Sequence, residues 1–255
     1  MIRARLFLRP LAAVACAAGA VYGFASGSAP AQPAATRPPG NGDVQAGRRL
    51  FLDGCASCHG DDARGIPSRA PSLHGAGAAA ADFYLSTGRM PLENPRDQPR
   101  KGEPVYNRAQ IDDLVAYIAS LGRGPPIPAV HASRGVLSEG LRAFTENCAG
   151  CHQVVGRGGI VSSARVPDLV NASPKTIGEA VRVGPYVMPA FNDKQIDSRT
   201  LDSIARYLKY VRDPQDRGGW GIGHIGPIPE GMVTWLLAVT ALVLTIRIIG
   251  ERTSK

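Results

Sequence analysis

The pentapeptide Cys55-Ala56-Ser57-Cys58-His59 recurs as Cys148-Ala149-Gly150-Cys151-His152, so each half of this 255-residue chain contains one Cys-x-x-Cys-His motif. The two copies account for four of the five cysteines. Two thiols three positions apart lie on one helical turn, where they can add to the two vinyl groups of a single porphyrin. The next side chain is then placed over the iron, which imidazole binds well. The motifs predict two covalently bound haem c groups, attached through Cys55, Cys58, Cys148 and Cys151, with His59 and His152 as iron ligands.

Other uses of paired cysteines explain this pattern less well. A disulfide framework or a zinc site does not require a histidine after both second cysteines, and the sequence offers no further Cys-rich or His-x-x-x-His partner. A thioredoxin-like redox pair needs one motif at the start of a helix that follows a strand, rather than two in a repeated context. The haem interpretation is therefore favoured.

An internal repeat extends outward from the two motifs. Residues 47–51 and 140–144 match, and each segment leads into its motif as a short helix that ends in phenylalanine. Apolar residues recur at helical spacing in 111–118 and 201–208, where a tyrosine occupies the same place in both. The repeat predicts two similar helical domains, with each phenylalanine packed on the porphyrin or on the closing helix.

Methionine is the predicted sixth ligand of each iron. Its neutral thioether favours ferrous iron and raises the reduction potential, as a downhill electron carrier requires. Of the four methionines, Met1 is the initiator and Met232 falls in an apolar C-terminal stretch. This leaves Met90 and Met188, one in each half and each followed by proline. We expect both to be ligands; an exposed loop position is the alternative.

Three further histidines compete for the same role. His74 corresponds to Val170 in the second half, His131 falls between the halves, and His224 precedes the C-terminal apolar stretch. Loop or surface positions are expected for all three. Only His74 lies where it could replace Met90.

Both ends of the chain contain apolar stretches. Three arginines precede the run at 11–24, and Ala29-Pro30-Ala31 offers a small-residue cleavage site, so an export signal is predicted, with an uncleaved anchor as the alternative. Cys16 lies in a poor context for lipidation. Residues 231–250 are long enough for one membrane span. The basic residues at its end predict a cytoplasmic C-terminus and haem domains on the extracytoplasmic face of the cell membrane.

The net charge of +8 does not indicate nucleic acid. Half of it comes from four arginines among the first 42 residues, which include no acidic residue. No domain has a basic stripe, so no nucleic-acid partner is expected.

The predicted organisation is a signal peptide or anchor at 1–31, a disordered spacer at 32–42, domain 1 at 43–122, a linker at 123–134, domain 2 at 135–212, a juxtamembrane segment at 213–230, the transmembrane helix at 231–250 and a cytoplasmic tail at 251–255.

With these residues assembled, each half resembles a class I cytochrome c. The shared features are a helix into Cys-x-x-Cys-His, a proline after the motif, a methionine loop and a C-terminal helix. The resemblance implies an all-α fold of two tandem class I cytochrome c domains plus the C-terminal transmembrane helix. In that family a proline carbonyl holds the second nitrogen of the ligating histidine, which implies this role for Pro71 and, at a longer spacing, for Pro167.

The whole layout resembles the dihaem cytochrome c subunit of the actinobacterial cytochrome bcc complex, a quinol–cytochrome c reductase. The supporting stretches are residues 86–91, 109–112, 147–149 and 226–232. The resemblance implies an electron-transfer subunit with no substrate pocket of its own. It would relay electrons from a Rieske iron-sulfur centre through both haems to a haem-copper oxidase, beside a cytochrome b subunit and often in a supercomplex.

Two other functions remain open on the sequence. One is the dihaem electron-accepting subunit of a membrane-bound periplasmic dehydrogenase, which would use nearly the same haem chemistry. The other is a dihaem peroxidase, which would need an exchangeable iron position, and the two methionines argue against it. Asp61-Asp62 and the Arg-rich segment 96–108 are each either a docking surface or simply solvated charge.

Overall fold

The computed structural model describes residues 42–161, 164–214 and 227–253. The expected export signal with Cys16, nearly all of the first spacer, and His224 lie outside these residues. In the described part of domain 1 the helices are α1 (Val44–Gly54), α2 (Ala56–His59), α3 (Gly77–Ser86) and α4 (Arg108–Ser120). In domain 2 they are α5 (Leu137–Asn147), α6 (Ala149–His152), α7 (Pro174–Val183) and α8 (Ser198–Arg212), and a 3-10 turn at Ala132–Arg134 precedes them. The helical fold and the two-domain repeat predicted from the sequence are confirmed.

Domain 1 is built on the crossing of α1 and α4. The Asp43 side chain caps α1 by accepting from the Ala46 amide at 2.8 Å, and Asn107 starts α4 in a reciprocal capping box with Gln110. Gly47 lies at the crossing, where an added Cβ would be 2.0 Å from the Asp113 carbonyl oxygen. Only glycine lets the two helices approach this closely.

The same crossing recurs in domain 2 between α5 and α8. A Cβ on Gly140 would be 2.0 Å from the Ser203 carbonyl oxygen. One turn further along, Phe144 packs on Tyr207 with ring centroids 5.4 Å apart, and Phe51 packs on Tyr117 at 5.2 Å, both pairs tilted by 48°. The expectation that each phenylalanine packs on the closing helix is therefore confirmed.

A short antiparallel hairpin in domain 2 was not predicted. Its strands are β1 (Gly159–Val161) and β2 (Ala164–Val166), and Gly159 faces Val166. Domain 1 has a single bridge, between Ile66 and Ala70, in the corresponding region. The hairpin occupies part of the longer stretch that separates His152 from its proline.

The C-terminal helix α9 runs from Pro227 to Thr253. It is long and apolar enough to cross a membrane over Ile228–Arg252, and none of that stretch is buried in the structure. The helix extends beyond the predicted 231–250 at both ends, and its N-terminal extension includes Pro227 and Pro229, which the first turn of a helix tolerates. The Thr234 and Thr245 hydroxyls donate to the carbonyls four residues earlier, at 3.0 and 2.8 Å, which satisfies them in apolar surroundings.

Candidate haem sites and the interface between the domains

In domain 1 the predicted haem residues lie together. Helix α1 ends at Gly54, the Cys55 amide donates to the Phe51 carbonyl at 2.8 Å, and the single turn α2 follows at once. This arrangement presents both thiols and the histidine toward one cleft. Cys55, Cys58, His59 and Met90 all line that cleft, together with Leu85 and Tyr106.

The His59 ring is held by the proline that follows the motif. Its Nδ1 donates to the Pro71 carbonyl at 2.9 Å. A backbone acceptor at Nδ1 fixes the tautomer and leaves Nε2 with the lone pair that a metal ligand needs. The role expected for Pro71 is confirmed by this contact.

Domain 2 repeats the arrangement in a more buried form. The Nδ1 of His152 donates to the Pro167 carbonyl at 3.2 Å, so the longer spacing still delivers the proline to the ring. Burial lowers the pKa of His152, against a smaller opposing effect of the Pro167 carbonyl, and so favours the neutral ring that iron requires. Met188 packs on the same core as Cys148.

The first thiol of each motif has a raised pKa, unlike the nucleophilic thiol of a redox pair. Burial raises the pKa of the Cys148 thiol to about 11, and neighbouring Cys151 adds to that rise. Burial also raises the pKa of Cys55. Disulfide oxidoreductases need the opposite, a thiol with a depressed pKa at an exposed site. This argues against a thioredoxin-like function for either motif.

His74 is held away from the domain 1 cleft. It is exposed, and its Nε2 contacts the Asp62 carbonyl at 2.9 Å. It does not line the cleft, whereas Met90 does. His131 is also exposed. Loop and surface positions for these two histidines agree with the sequence-based expectation.

Each methionine loop is fastened to the helix before it. In domain 1 the amides of Arg89 and Met90 donate to the Tyr84 carbonyl at 2.9 and 3.2 Å. In domain 2 the loop is closed by Arg182, whose guanidinium donates to the Phe191 carbonyl at 3.0 Å and pairs with Asp193 at 2.6 Å. No motif in the sequence identified Arg182, because its partners lie nine and eleven residues away across an irregular loop.

The two domains contact each other through the helices that precede these loops, α3 and α7. Beside that helix pair, the Gln98 side chain exchanges two hydrogen bonds with the Arg165 backbone, donating at 2.7 Å and accepting at 3.0 Å. The domains are therefore joined both by the packing of two helices and by a paired side-chain–backbone contact.

Two carboxyl groups are buried where α3 meets α7. Asp82 and Glu179 are both 0% exposed. Arg108 donates to Asp82 at 2.5 Å, and Lys175 reaches across the interface to pair with the other Asp82 oxygen. This cluster was not predicted, because one acidic residue in each of two separate helices gives no local signal in the sequence.

Comparison with known proteins agrees with these sites. The cytochrome c family matches residues 44–122, and the family of cbb3-type cytochrome c oxidase subunit III matches residues 135–208. The fold and the two motif sites thus define a c-type cytochrome with two haem domains, and the two covalently bound haem c groups predicted from the sequence are confirmed.

Relatives narrow the family further. The cytochrome bc1 complex cytochrome c subunit of Mycobacterium leprae is 38% identical over 213 residues, which cover 80% of this chain and 74% of the relative. The subunit of the same name from Corynebacterium diphtheriae is 34% identical and covers 82% of this chain and 81% of the relative. A cbb3-type cytochrome c oxidase subunit of an Azospirillum species is 30% identical over 64% of this chain and 60% of that protein. The chain belongs to the family of cytochrome bc1 complex cytochrome c subunits.

Proposed function

We propose that this chain relays electrons from a Rieske iron-sulfur centre, reduced by quinol, through two haems to a terminal haem-copper oxidase. The observation that supports this best is the presence of two covalent haem motifs in one chain, with the domains in direct contact through the helices before their methionine loops. A carrier with one haem would have to diffuse between the electron donor and the electron acceptor. In a chain with two haems, the electron can pass from one haem to the other within the same molecule. The chain acts as the electron-transfer subunit of a quinol–cytochrome c reductase, without a substrate pocket of its own.

We propose His59 with Met90, and His152 with Met188, as the two pairs of axial ligands, with Cys55, Cys58, Cys148 and Cys151 as the attachment points. The haem supplies reversible one-electron exchange, and thioether ligation favours its ferrous state. The protein's part is to hold each imidazole through its proline carbonyl and each thioether through a fastened loop. Domain limits at 43–122 and 135–212 are proposed on the same basis, since the two repeated helix crossings fall within them.

We propose that α9 anchors the chain in the cell membrane with both haem domains on the extracytoplasmic face. Arg247 and Arg252 lie at the C-terminal end of the apolar helix, and an excess of basic residues marks the cytoplasmic side of a span. Proteolysis of intact and opened spheroplasts tests this. Cleavage of the haem domains in intact spheroplasts supports the proposal, and protection until the membrane is opened contradicts it.

Copurification tests the place of the chain in electron transfer. Extraction of the tagged full chain in a mild detergent is expected to recover a b-type cytochrome and a Rieske protein, together with a haem-copper oxidase. Recovery of a flavin- or quinone-linked dehydrogenase in their place would contradict the proposal and favour the dehydrogenase subunit described above.

Methionine variants test the ligand assignment. Met90→Leu and Met188→Leu should each remove the thioether-to-iron absorption band of one haem and lower the potential of that haem. Met232→Leu is the matched control, because this side chain lies in α9 and is exposed. An unchanged band in either cleft variant would exclude that methionine as a ligand.

A further inference from the structure

The buried carboxyl groups at the domain interface occupy equivalent places in the repeat. Asp82 is the sixth residue of α3 and Glu179 is the sixth residue of α7. Both helices lead into a methionine loop, and they pack on each other. The two carboxyl groups therefore meet at the contact through which one haem domain is positioned relative to the other.

The charges around this contact do not balance if every group is ionised. Arg108 bonds both Asp82 and Asp112, while Lys175 pairs with Asp82 and lies 3.8 Å from a Glu179 oxygen. Three carboxylates thus face two cations from α3, α4 and α7. One added proton makes the cluster neutral, and a neutral cluster avoids the cost of a net charge in a buried site.

The hydrogen bonding of Glu179 indicates where this proton lies. Both Glu179 oxygens are buried, and neither accepts a hydrogen bond from a neighbouring donor. Lys175 pairs with an Asp82 oxygen and lies 3.8 Å from a Glu179 oxygen, so the same ammonium group draws the two carboxyl groups together. Each carboxyl group is only an acceptor without a proton, so a hydrogen bond between them forms when one of them carries a proton.

We propose that Asp82 and Glu179 share one proton, and that this hydrogen bond holds the two domains in the orientation that sets electron transfer between their haems. The positioning role rests on the function proposed above, whereas the shared proton concerns only the chain itself.

The direction of the pKa shifts agrees with this geometry. Burial, and then the neighbouring Asp82, raise the pKa of Glu179 to about 9. Burial acts to raise the pKa of Asp82 as well, but hydrogen bonds with Glu179, Lys175 and Arg108 outweigh it and lower that pKa. Because folding raises the pKa of Glu179, its contribution to the stability of the folded chain is fully present when the pH is below its ordinary pKa of 4.5. This contribution is lost as the pH rises through about 9.

Infrared difference spectroscopy tests the shared proton directly. In the full haem-loaded chain in detergent, a carbonyl stretch of a protonated carboxylic acid should be present at neutral pH and disappear with a midpoint near pH 9. Glu179→Gln should abolish the band, and Asp82→Asn should do so independently if the first variant folds poorly. Glu146→Gln is the control, because Glu146 is an exposed glutamate of domain 2. A band that survives in both interface variants would overturn the proposal.

The orientation is read from the magnetic coupling between the two ferric haems of the same samples. In the wild type, the distribution of coupling strengths should broaden as the pH rises through about 9. In Glu179→Gln this distribution should stay narrow, because the amide still donates to Asp82 and cannot lose a proton. An identical pH-dependent transition in the variant would refute the positioning role. Neither measurement involves a partner protein, so a negative copurification leaves both results interpretable.

Discussion

Substitution of Gly140 by alanine should separate the two helices that support the second haem motif. A Cβ at this position would lie 2.0 Å from the Ser203 carbonyl oxygen and 2.9 Å from the Tyr207 Cβ. Carbon and oxygen atoms that are not bonded rarely approach within about 3.4 Å, so α5 and α8 must move apart by more than about 1 Å. The shift also loosens the contact of Phe144 with Tyr207.

The expected cost follows from overpacking a closed core. Forcing extra atoms into such a site costs about 1–3 kcal/mol, and the better helix propensity of alanine returns roughly 0.5–1 kcal/mol. Gly231→Ala provides the control, because it lies in α9 outside both haem domains and a Cβ there meets nothing within 4 Å. This variant should leave the unfolding of domain 2 unchanged, so a fall in Gly140→Ala reports the helix crossing.

Thermal unfolding of the haem-loaded chain in detergent measures this difference. Each kcal/mol corresponds to about 4–8 °C in a domain of this size, so a net cost of up to about 2.5 kcal/mol should unfold domain 2 of Gly140→Ala as much as about 20 °C below that of Gly231→Ala. The thioether-to-iron band reports the haem site during the same scan. Equal melting temperatures for the two variants would show that the crossing tolerates a side chain and would refute the reasoning.

Three further substitutions test individual contacts. Tyr207→Phe removes the hydroxyl that donates to the Val154 carbonyl at 2.7 Å, and should cost about 0.5–1.5 kcal/mol in thermal unfolding. Arg182→Met removes the guanidinium that closes the second methionine loop, so the thioether band of domain 2 should be lost at a lower temperature while that of domain 1 is unchanged. His74→Ala should leave the spectra and potentials of both haems unaltered, because the ring bonds the Asp62 carbonyl outside the cleft; an altered domain 1 spectrum would reopen its role as a ligand.

The parts of each site that depend on local pattern were predictable from the sequence. The motif spacing fixes the positions of the thiols and the histidine on one turn, and comparison of the repeats selected Met90 and Met188 from four methionines. Helical spacing led to the expectation that each phenylalanine packs on the porphyrin or on the closing helix, and the structure shows the second of these contacts, to a tyrosine. The packing of the phenylalanines and the proline contacts were confirmed because the relevant residues are close in sequence or occur twice, and the ligand role of both methionines stays a prediction.

The contacts between the domains could not be predicted in the same way. Asp82 follows a run of alanines in α3, and nothing in that helix indicates whether its face meets solvent or another helix. Gln98 and Arg165 are 67 residues apart, and their pairing depends on how the domains dock. The hairpin at β1 and β2 likewise depends on extra residues that have no counterpart in domain 1.

The meeting of α3 with α7 has a consequence for how such a protein can be built. A contact between the same helix of two repeats is the contact that a symmetric pair of identical chains would make, and in such a pair every side chain at the interface occurs twice. Here the second residue of the helix is Ala78 in α3 and Lys175 in α7. Joining the repeats in one polypeptide allows a single lysine to reach the contact from one side only. A dimer of two separate one-haem chains, each with this lysine, would have to accommodate a second ammonium group beside the same two carboxyl groups.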